Sequence, residues 1–527
     1  MSKVKMEQRS WFLRFLKFVE WAGNLLPHPV SLFALFVVGI VVISGLVEWM
    51  DWTVLDPRPE GSRGRSPTGI LAAKSLISAD GLRWMFENSV SNFTSFAPLG
   101  TVLVAMLGVG VAETSGLLPA LVRSLVLRAP KKLLTPALVF AGVLSNVASE
   151  MGYLVLIPMG GYIYLALGRH PLAGMATVFA GVSGGYSANL LISTLDPLLA
   201  GITQEAARLI DPGYNVHAAV NWYFMSASTF MVTALGWWVS VRIVEPNLGT
   251  FESGSGDVGS EDSGHYLSPL TDAEKKGLRY AFLVTLFLAG IFASLILPES
   301  GILREPGTGT VLQSPFLRGI VTAIFLFFLL PSIAFGWATG KFASDKDVIE
   351  GMSHAMRSLS LYIVLVFFAA QFVAYFNWTN LGVISAVAGA EFLKGIGFTG
   401  SAIFVPFIIV CALINLSLGS ASAQWAVTAP IFVPMLMLLG YSPEVIQAAY
   451  RIGDSTTNII TPMMSYFGLI LAFAHRFDRR IGIGTIISTM LPYSIIFLCG
   501  WTLLFYVWVF LLGLPVGPGA PTFIGGS

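Results

Sequence analysis

The sequence predicts an all-α polytopic membrane protein with about nine transmembrane helices plus two re-entrant helical hairpins, arranged as an inverted-topology repeat. Three observations predict it. The 527-residue chain is 55% hydrophobic and 11% charged, less than half the charged share usual in soluble domains. Apolar runs of about twenty residues, long enough to cross a bilayer, recur along it. Two polar runs that weaken a helix, Gly184-Gly185-Tyr186-Ser187-Ala188-Asn189 and Gly453-Asp454-Ser455-Thr456-Thr457-Asn458, fall inside long apolar segments. Such residues in hydrocarbon are costly unless they line a cavity or bind something. A break that occurs twice points to a secondary transporter whose site lies between two repeats.

The chain opens with Lys3, Lys5, Arg9, Arg14 and Lys17 interspersed with Trp11, Phe12, Phe15, Leu16 and Phe18. This is the pattern of a basic amphipathic helix lying on the inner membrane face, and it carries no cleavage site of the signal-peptide kind. Apolar segments then fall at 30–50, 90–113, 172–198, 219–244, 280–297, 317–340, 355–376, 443–474 and 483–513. The mixed-charge stretch 51–83, with Asp51, Asp56, Arg58, Glu60, Arg63, Arg65 and Asp80, is expected to be an outside loop. Two further apolar stretches, 133–168 and 399–440, are interrupted by Ser145–Gly152 and Ser417–Gln424. Each is expected to enter, turn at mid-depth and leave on the side it came from.

Charge orients the chain. A basic N-terminus places residue 1 in the cytoplasm. With both hairpins re-entrant, Arg123, Arg128, Lys131 and Lys132, then Arg169 and His170, and later Arg476, Arg479 and Arg480 all fall inside. If either hairpin crossed outright, the basic clusters after it would face outward. The loop 245–279 is also inside, and its Gly/Ser/acidic stretch from Phe251 to Gly264 is expected to be disordered. Residues 90–244 and 355–513 then share one order: span, short segment, hairpin, broken span, span. The first unit starts outside and the second inside, so the two are inverted. Val102-Leu103-Val104 recurs as Val364-Leu365-Val366, and Asn189 as Asn458. Residues 280–354 supply scaffold spans and 514–527 a tail.

The ionisable residues deep in apolar segments are Glu113, Glu150, Asp196, Arg451 and Asp454. Each costs at least about 2.5–3.5 kcal/mol on insertion scales unless partnered. Arg451 and Asp454, three apart, share a helix face. They form either an internal ion pair or a divided site, with Asp454 serving a cation and Arg451 receiving an anionic substrate group through its fork of donors. A break just after Asp454 would free backbone carbonyls, and Ser455, Thr456 and Asn458 add oxygens suited to a hard cation. Asp196 follows Asn189 by two helical turns and could share its face, in a coupling or substrate role or as an outer-end cap. The hairpin tips carry Ser149, Glu150, Ser420, Ser422, Gln424 and Trp425. Serines there can simply allow close packing. Trp425 lies at mid-depth, away from an interfacial belt, where a flat aromatic ligand could stack on it. Pro462 follows the second polar run and interrupts its hydrogen-bond ladder.

Other chemistries find no support. Cys411 and Cys499 lack metal or redox spacing. The six histidines lie at segment ends or in loops, against a zinc protease, a haem protein or a histidine relay. No phosphate-cradling loop marks an ATPase, no basic footprint marks a nucleic-acid partner, and nothing points to an enzyme or a resident cofactor.

At Ser420-Ala421-Ser422-Ala423-Gln424-Trp425 and Tyr450-Arg451-Ile452-Gly453-Asp454-Ser455-Thr456-Thr457-Asn458, followed by Thr461-Pro462, the chain resembles the AbgT family of aminobenzoyl-glutamate transporters. The resemblance implies a homodimeric carrier in the bacterial inner membrane, coupled to Na⁺ or H⁺. It further implies transport of aminobenzoyl-glutamate or export of sulfonamide antimetabolites. It gives functional weight to Asp196, Ser422, Trp425, Pro443, Arg451, Asp454 and Pro462, with Pro443 resting mainly on the resemblance. A small aromatic anion suits Trp425 and Arg451; Asp454, Asn458, Asn189 and Thr456 are the candidate cation ligands. Three rivals stand beside this reading: a carrier of another carboxylate such as a dicarboxylate, a passive channel, and an intramembrane aspartyl protease using Asp196 and Asp454.

Overall fold

The computed structural model describes residues 29–58, 60, 65–127, 129–148, 152–251, 269–311, 314–464 and 466–524. The N-terminal amphipathic segment, most of the Gly/Ser/acidic loop, and Ser149 and Glu150 lie outside them. Among the described residues nine membrane-crossing segments follow one another. Seven of them are Pro29–Trp49, Ala79–Ser115, Trp222–Leu248, Asp272–Ile296, Ile320–Thr339, Ser360–Trp378 and Ile483–Leu511, the second with a kink where Phe96 is extended between Ala79–Thr94 and Ala97–Ser115. The third and eighth spans are broken. The third runs as helix over 171–184, its last turn widened to a π-helix, opens over 185–194 and resumes at Leu195–Ala207. The eighth runs Pro443–Asn458, opens, and resumes at Phe467–Phe477. These seven spans and the two broken ones match the expected nine.

The hairpins are re-entrant by length and by contact. The arms of the first, Leu134–Ser145 and Ile157–Ala166, have 12 and 10 residues. Those of the second, Phe404–Leu418 and Ala421–Met437, have 15 and 17. At 1.5 Å per residue the first hairpin's arms fall well short of the roughly 30 Å hydrocarbon core, whereas the second's entering arm with its leading turn reaches 18 residues over Ser401–Leu418, so there contact decides. The two ends of each hairpin meet. Arg169 Nη1 donates to Thr135 Oγ1 at 3.2 Å across the base of the first. Tyr441 Oη donates to the Thr399 carbonyl at 3.2 Å across the base of the second.

The connections gather at two opposite ends. At the basic end, Arg169 forks onto Glu245 at 2.7 and 2.5 Å and lies 3.8 Å over the Tyr164 ring, while Arg123 pairs with Glu274. At the other end, Asn380 Nδ2 donates to the Ala72 carbonyl at 2.8 Å and Ser442 Oγ to the Pro521 carbonyl at 2.5 Å. The first hairpin starts from the basic end and the second from the other, as inversion requires. Short helices, Leu117–Leu127 and Leu381–Gly395, precede the two hairpins in corresponding places.

Three expectations need correction. The outer loop is partly ordered, with Thr53–Leu55 pairing antiparallel to Ile70–Ala72 and helix beginning at Ala79; β-branched and apolar alternation there outweighs the charge. Asn189 and Asp196 do not share a helix, because the chain stays open through Thr194. The run Gly453–Asn458 does not itself break its helix. The eighth span stays helical through Asn458, since Thr456 and Thr457 return their hydroxyls to carbonyls four residues back at 2.8 and 3.0 Å. The break comes one turn later, at 459–466, around Pro462.

Candidate functional site

The eighth span begins by rule. Ser442 caps it, accepting from the Val445 N–H at 3.3 Å, and Pro443 occupies the first turn, where its missing N–H costs nothing. Every residue from Pro443 to Asn458 is buried. Glu444, Gln447, Arg451, Asp454 and Asn458 recur at helical spacing, so a polar stripe runs down a helix that has no solvent face. Such a stripe needs partners, and the third span and second hairpin supply most of them.

Each hairpin tip meets the break of its own repeat. Asn146, at the end of the first hairpin's entering arm, donates to the Gly185 carbonyl at 3.2 Å. In the second hairpin, Thr461 Oγ1 donates to the Leu416 carbonyl at 2.8 Å. Gly419, at φ +56°, turns that tip with its Cα against the Met463 backbone, where a Cβ would sit 3.0 Å away. Each break also meets the helix of the other broken span. The Ser187 N–H donates to Ser455 Oγ at 3.1 Å, and Ser183 Oγ approaches Met464 Sδ at 3.2 Å.

Arg451 is paired with Asp196 rather than Asp454. Its Nη2 lies 2.6 Å from Asp196 Oδ1, with side-chain exposures of 1% and 11%. Asp196 Oδ2 accepts from the Ser193 N–H and hydroxyl at 2.6 and 3.0 Å. This ion pair ties the resumed half of the third span to the middle of the eighth. The Arg451 Nε and Nη2 groups make no aligned hydrogen bond, so the fork retains donors for another acceptor.

Asp454 is wholly buried, and neither carboxylate oxygen receives a hydrogen bond. The neighbouring Tyr450 hydroxyl is committed to the Ala421 carbonyl at 2.6 Å. Beside Asp454 stands Asn415, which sequence reasoning missed. Its Nδ2 donates to the Asp454 carbonyl, Thr457 Oγ1 and Asn458 Oδ1 at 2.7, 3.0 and 2.8 Å. With the amide nitrogen so used, Asn415 Oδ1 is left buried without a donor, as is Gln424 Oε1. A single asparagine inside the apolar run Phe404–Leu418 was the available signal. The helix carrying Asp454 packs closely on the second hairpin at Gly453, where a Cβ would lie 2.5 Å from the Ile408 carbonyl and 2.8 Å from Cys411 Cβ.

The other candidates divide. Trp425 is fully buried and stacked on Tyr450, with ring centroids 4.2 Å apart at 24°. Its Nε1 donates to Thr203 Oγ1 at 2.9 Å, which donates to Gln447 Oε1 at 2.6 Å. One ring face is therefore taken in this conformation. Ser422, half-buried, lies 3.5 Å from the Ser420 hydroxyl at the hairpin tip. Pro462 sits half-buried in the eighth span's break. Thr456 turns its hydroxyl into its own helix. Asn189 is buried in the third span's break with Nδ2 unpartnered. Asp196 is held by Arg451 as one half of an ion pair, so it does not form the proton-sharing carboxyl pair a protease needs. Among the described residues no three His, Cys, Asp or Glu side chains cluster.

The comparisons agree with this architecture. The model of the AbgT putative transporter family matches residues 14–524. The chain belongs to the AbgT transporter family. The p-aminobenzoyl-glutamate transport protein of Escherichia coli (strain K12) is 38% identical over 501 residues, covering 95% of each chain. The structure of Neisseria gonorrhoeae MtrF, from a class of antimetabolite efflux pumps, superposes at TM-score 0.90 with 56% identity, covering 96% of this chain and 100% of that one. The Alcanivorax borkumensis YdaH transporter superposes at 0.85 with 44% identity, covering 93% and 100%. This AbgT chain is a multi-pass membrane transporter rather than an enzyme.

Proposed function

We propose that this transporter is a cation-coupled secondary carrier of a small aromatic anion, of the aminobenzoyl-glutamate or sulfonamide-antimetabolite kind. It works as a homodimer in the bacterial inner membrane, with its basic end and N-terminus in the cytoplasm. One observation carries the reading: a fully buried carboxylate, Asp454, that receives no hydrogen bond, lies one turn before the break of the eighth span, on the helix that meets the third span's break at Ser455. A bare carboxylate so placed is costly. A proton or Na⁺ relieves that cost, and the donor-free oxygens of Asn415 and Gln424 extend the shell. Asn458 contributes through the lone pair its bond to Asn415 leaves, and Asn189 from the facing break.

Arg451 receives the anionic end of the substrate, which competes with Asp196 for the guanidinium. Trp425 and Ser422 form the wall beside it, and Pro443 and Pro462 fix where the eighth span starts and stops. Coupling then has a physical route: cation at Asp454 and anion at Arg451 lie on one face of one helix, so filling one site changes the field at the other. The test is flux of p-aminobenzoyl-glutamate and of a sulfonamide in proteoliposomes under Na⁺ and H⁺ gradients imposed separately. Saturable flux that follows one gradient is expected. Flux indifferent to both would refute the coupling, and single-channel currents would favour a pore.

A further inference from the structure

The two halves repeat one asparagine contact. Asn415 ends the entering arm of the second hairpin and donates through Nδ2 to the Asp454 carbonyl at 2.7 Å. Asn146 ends the entering arm of the first and donates through Nδ2 to the Gly185 carbonyl at 3.2 Å. When Asn189 is set against Asn458, Gly185 is the position that corresponds to Asp454. Both asparagines are at least nine-tenths buried, and both leave Oδ1 without a donor. A buried amide oxygen with no donor costs roughly 1–3 kcal/mol. Its recurrence at mirrored positions points to a ligand in each half rather than to an accident of packing.

The surroundings of Asn146 are rich in acceptors. Ser187 Oγ is buried without a partner. The half-helix over 171–184 ends in a π-turn, and the chain then stays open through Thr194, so carbonyls at the negative end of its dipole are released from helical bonding. Half-helix C-termini and unwound carbonyls of this kind coordinate small cations in membranes.

We propose that the first repeat holds a second monovalent cation site, built from Asn146 Oδ1, Ser187 Oγ and the opened carbonyls at 186–188. The inference rests on Asp454 being the cation residue of the second repeat, and it fixes the chemistry more narrowly. Amide, hydroxyl and carbonyl oxygens take no proton near neutral pH, so the occupant is an alkali cation such as Na⁺ and not H⁺. A transition metal is disfavoured, because these ligands are neutral and hard. Lacking a carboxylate, this site binds more weakly than its mirror. Two cations per chain also set the charge moved per cycle.

The experiment is equilibrium binding of ²²Na⁺ to purified full-length protein, with folding followed by size-exclusion profile. The wild type is expected to bind two Na⁺ per chain, Asp454→Asn one, Asn146→Ala one, and the double variant none. Asn146→Asp keeps the shape and adds a charge. It should tighten one site about tenfold, equivalent to about 1.4 kcal/mol, and make it pH-dependent. This variant decides the matter if Asn146→Ala is not monodisperse. One Na⁺ per chain in the wild type that Asn146→Ala retains, no binding at all, or full binding in Asn146→Ala would overturn the second site, as would an Asn146→Asp variant of unchanged count and affinity. If Asp454→Asn still binds two while Asn146→Ala loses one, the Asp454 reading fails and the first-repeat site stands.

Discussion

Replacing Asp196 by Asn should destabilise the protein far more than any direct contact of Asp196 alone would suggest. Asn keeps the size and can still accept from the Ser193 N–H, which now bonds Oδ2 at 2.6 Å. What is lost is the counter-charge of Arg451, whose side chain is 1% exposed and whose Nη2 lies 2.6 Å from Asp196 Oδ1. Removing one partner of a buried ion pair leaves an uncompensated charge, at a cost of about 3–5 kcal/mol. Arg451→Gln should cost less, because Asp196 is 11% exposed and keeps its Ser193 donors. The double variant Asp196→Asn/Arg451→Gln should be less destabilised than the sum of the two single variants, by a coupling energy of about 2–3 kcal/mol. The assay is thermal melting of the four proteins in one detergent at fixed ionic strength. Additive melting shifts, or an Asp196→Asn variant as stable as wild type, would refute the pairing as the tie between the third and eighth spans.

Three further outcomes follow from the same contacts. Asp454→Asn should abolish flux yet leave the melting temperature unchanged or higher, because neither carboxylate oxygen is hydrogen-bonded and the group is wholly buried; a large loss of stability would mark Asp454 as structural. Gly453→Ala should cost about 1–3 kcal/mol by pushing a Cβ to 2.5 Å from the Ile408 carbonyl, read as a lower melting temperature. At the basic end, burial holds the His170 imidazole below its ordinary value, opposed by Asp478 and Glu245, while Nδ1 accepts the Leu172 N–H that starts the third span. The unfolded state therefore binds the proton more readily, so the stability is fully present above the unfolded value of about 6.5 and is lost as pH falls from there through the folded value. His170→Asn should shrink that acid slope in the melting temperature, with His217, likewise depressed by burial, left to supply part of it.

The order of elements was legible because hydrophobic length and basic loops are coarse signals that each repeat states separately. The hairpins were legible because Ser145–Gly152 and Ser417–Gln424 are too polar for mid-membrane helix. Partners were not. Arg451 and Asp454 lie three residues apart, and spacing alone makes them a pair; only the fold shows that Asp196, far off in sequence, takes the arginine. The second break was placed one turn early because β-branched threonines were read as helix-weakening, whereas Thr456 and Thr457 bond back to their own helix. Asn415 and Thr203 were passed over because each is a lone polar residue whose meaning depends on a partner from the other side of the fold.

The central claim is that each break meets the other broken span and that transport runs through this meeting. Ser187, in the third span's break, donates its N–H to the Ser455 hydroxyl of the eighth span's helix at 3.1 Å, and a disulfide between these positions needs a Cα separation of about 4.4–6.8 Å. Cysteines at both positions, in a background freed of Cys411 and Cys499, should form an intramolecular disulfide on oxidation, with flux falling to background and returning on reduction. A pair that never cross-links, or a cross-linked protein that transports at the full rate, would contradict it.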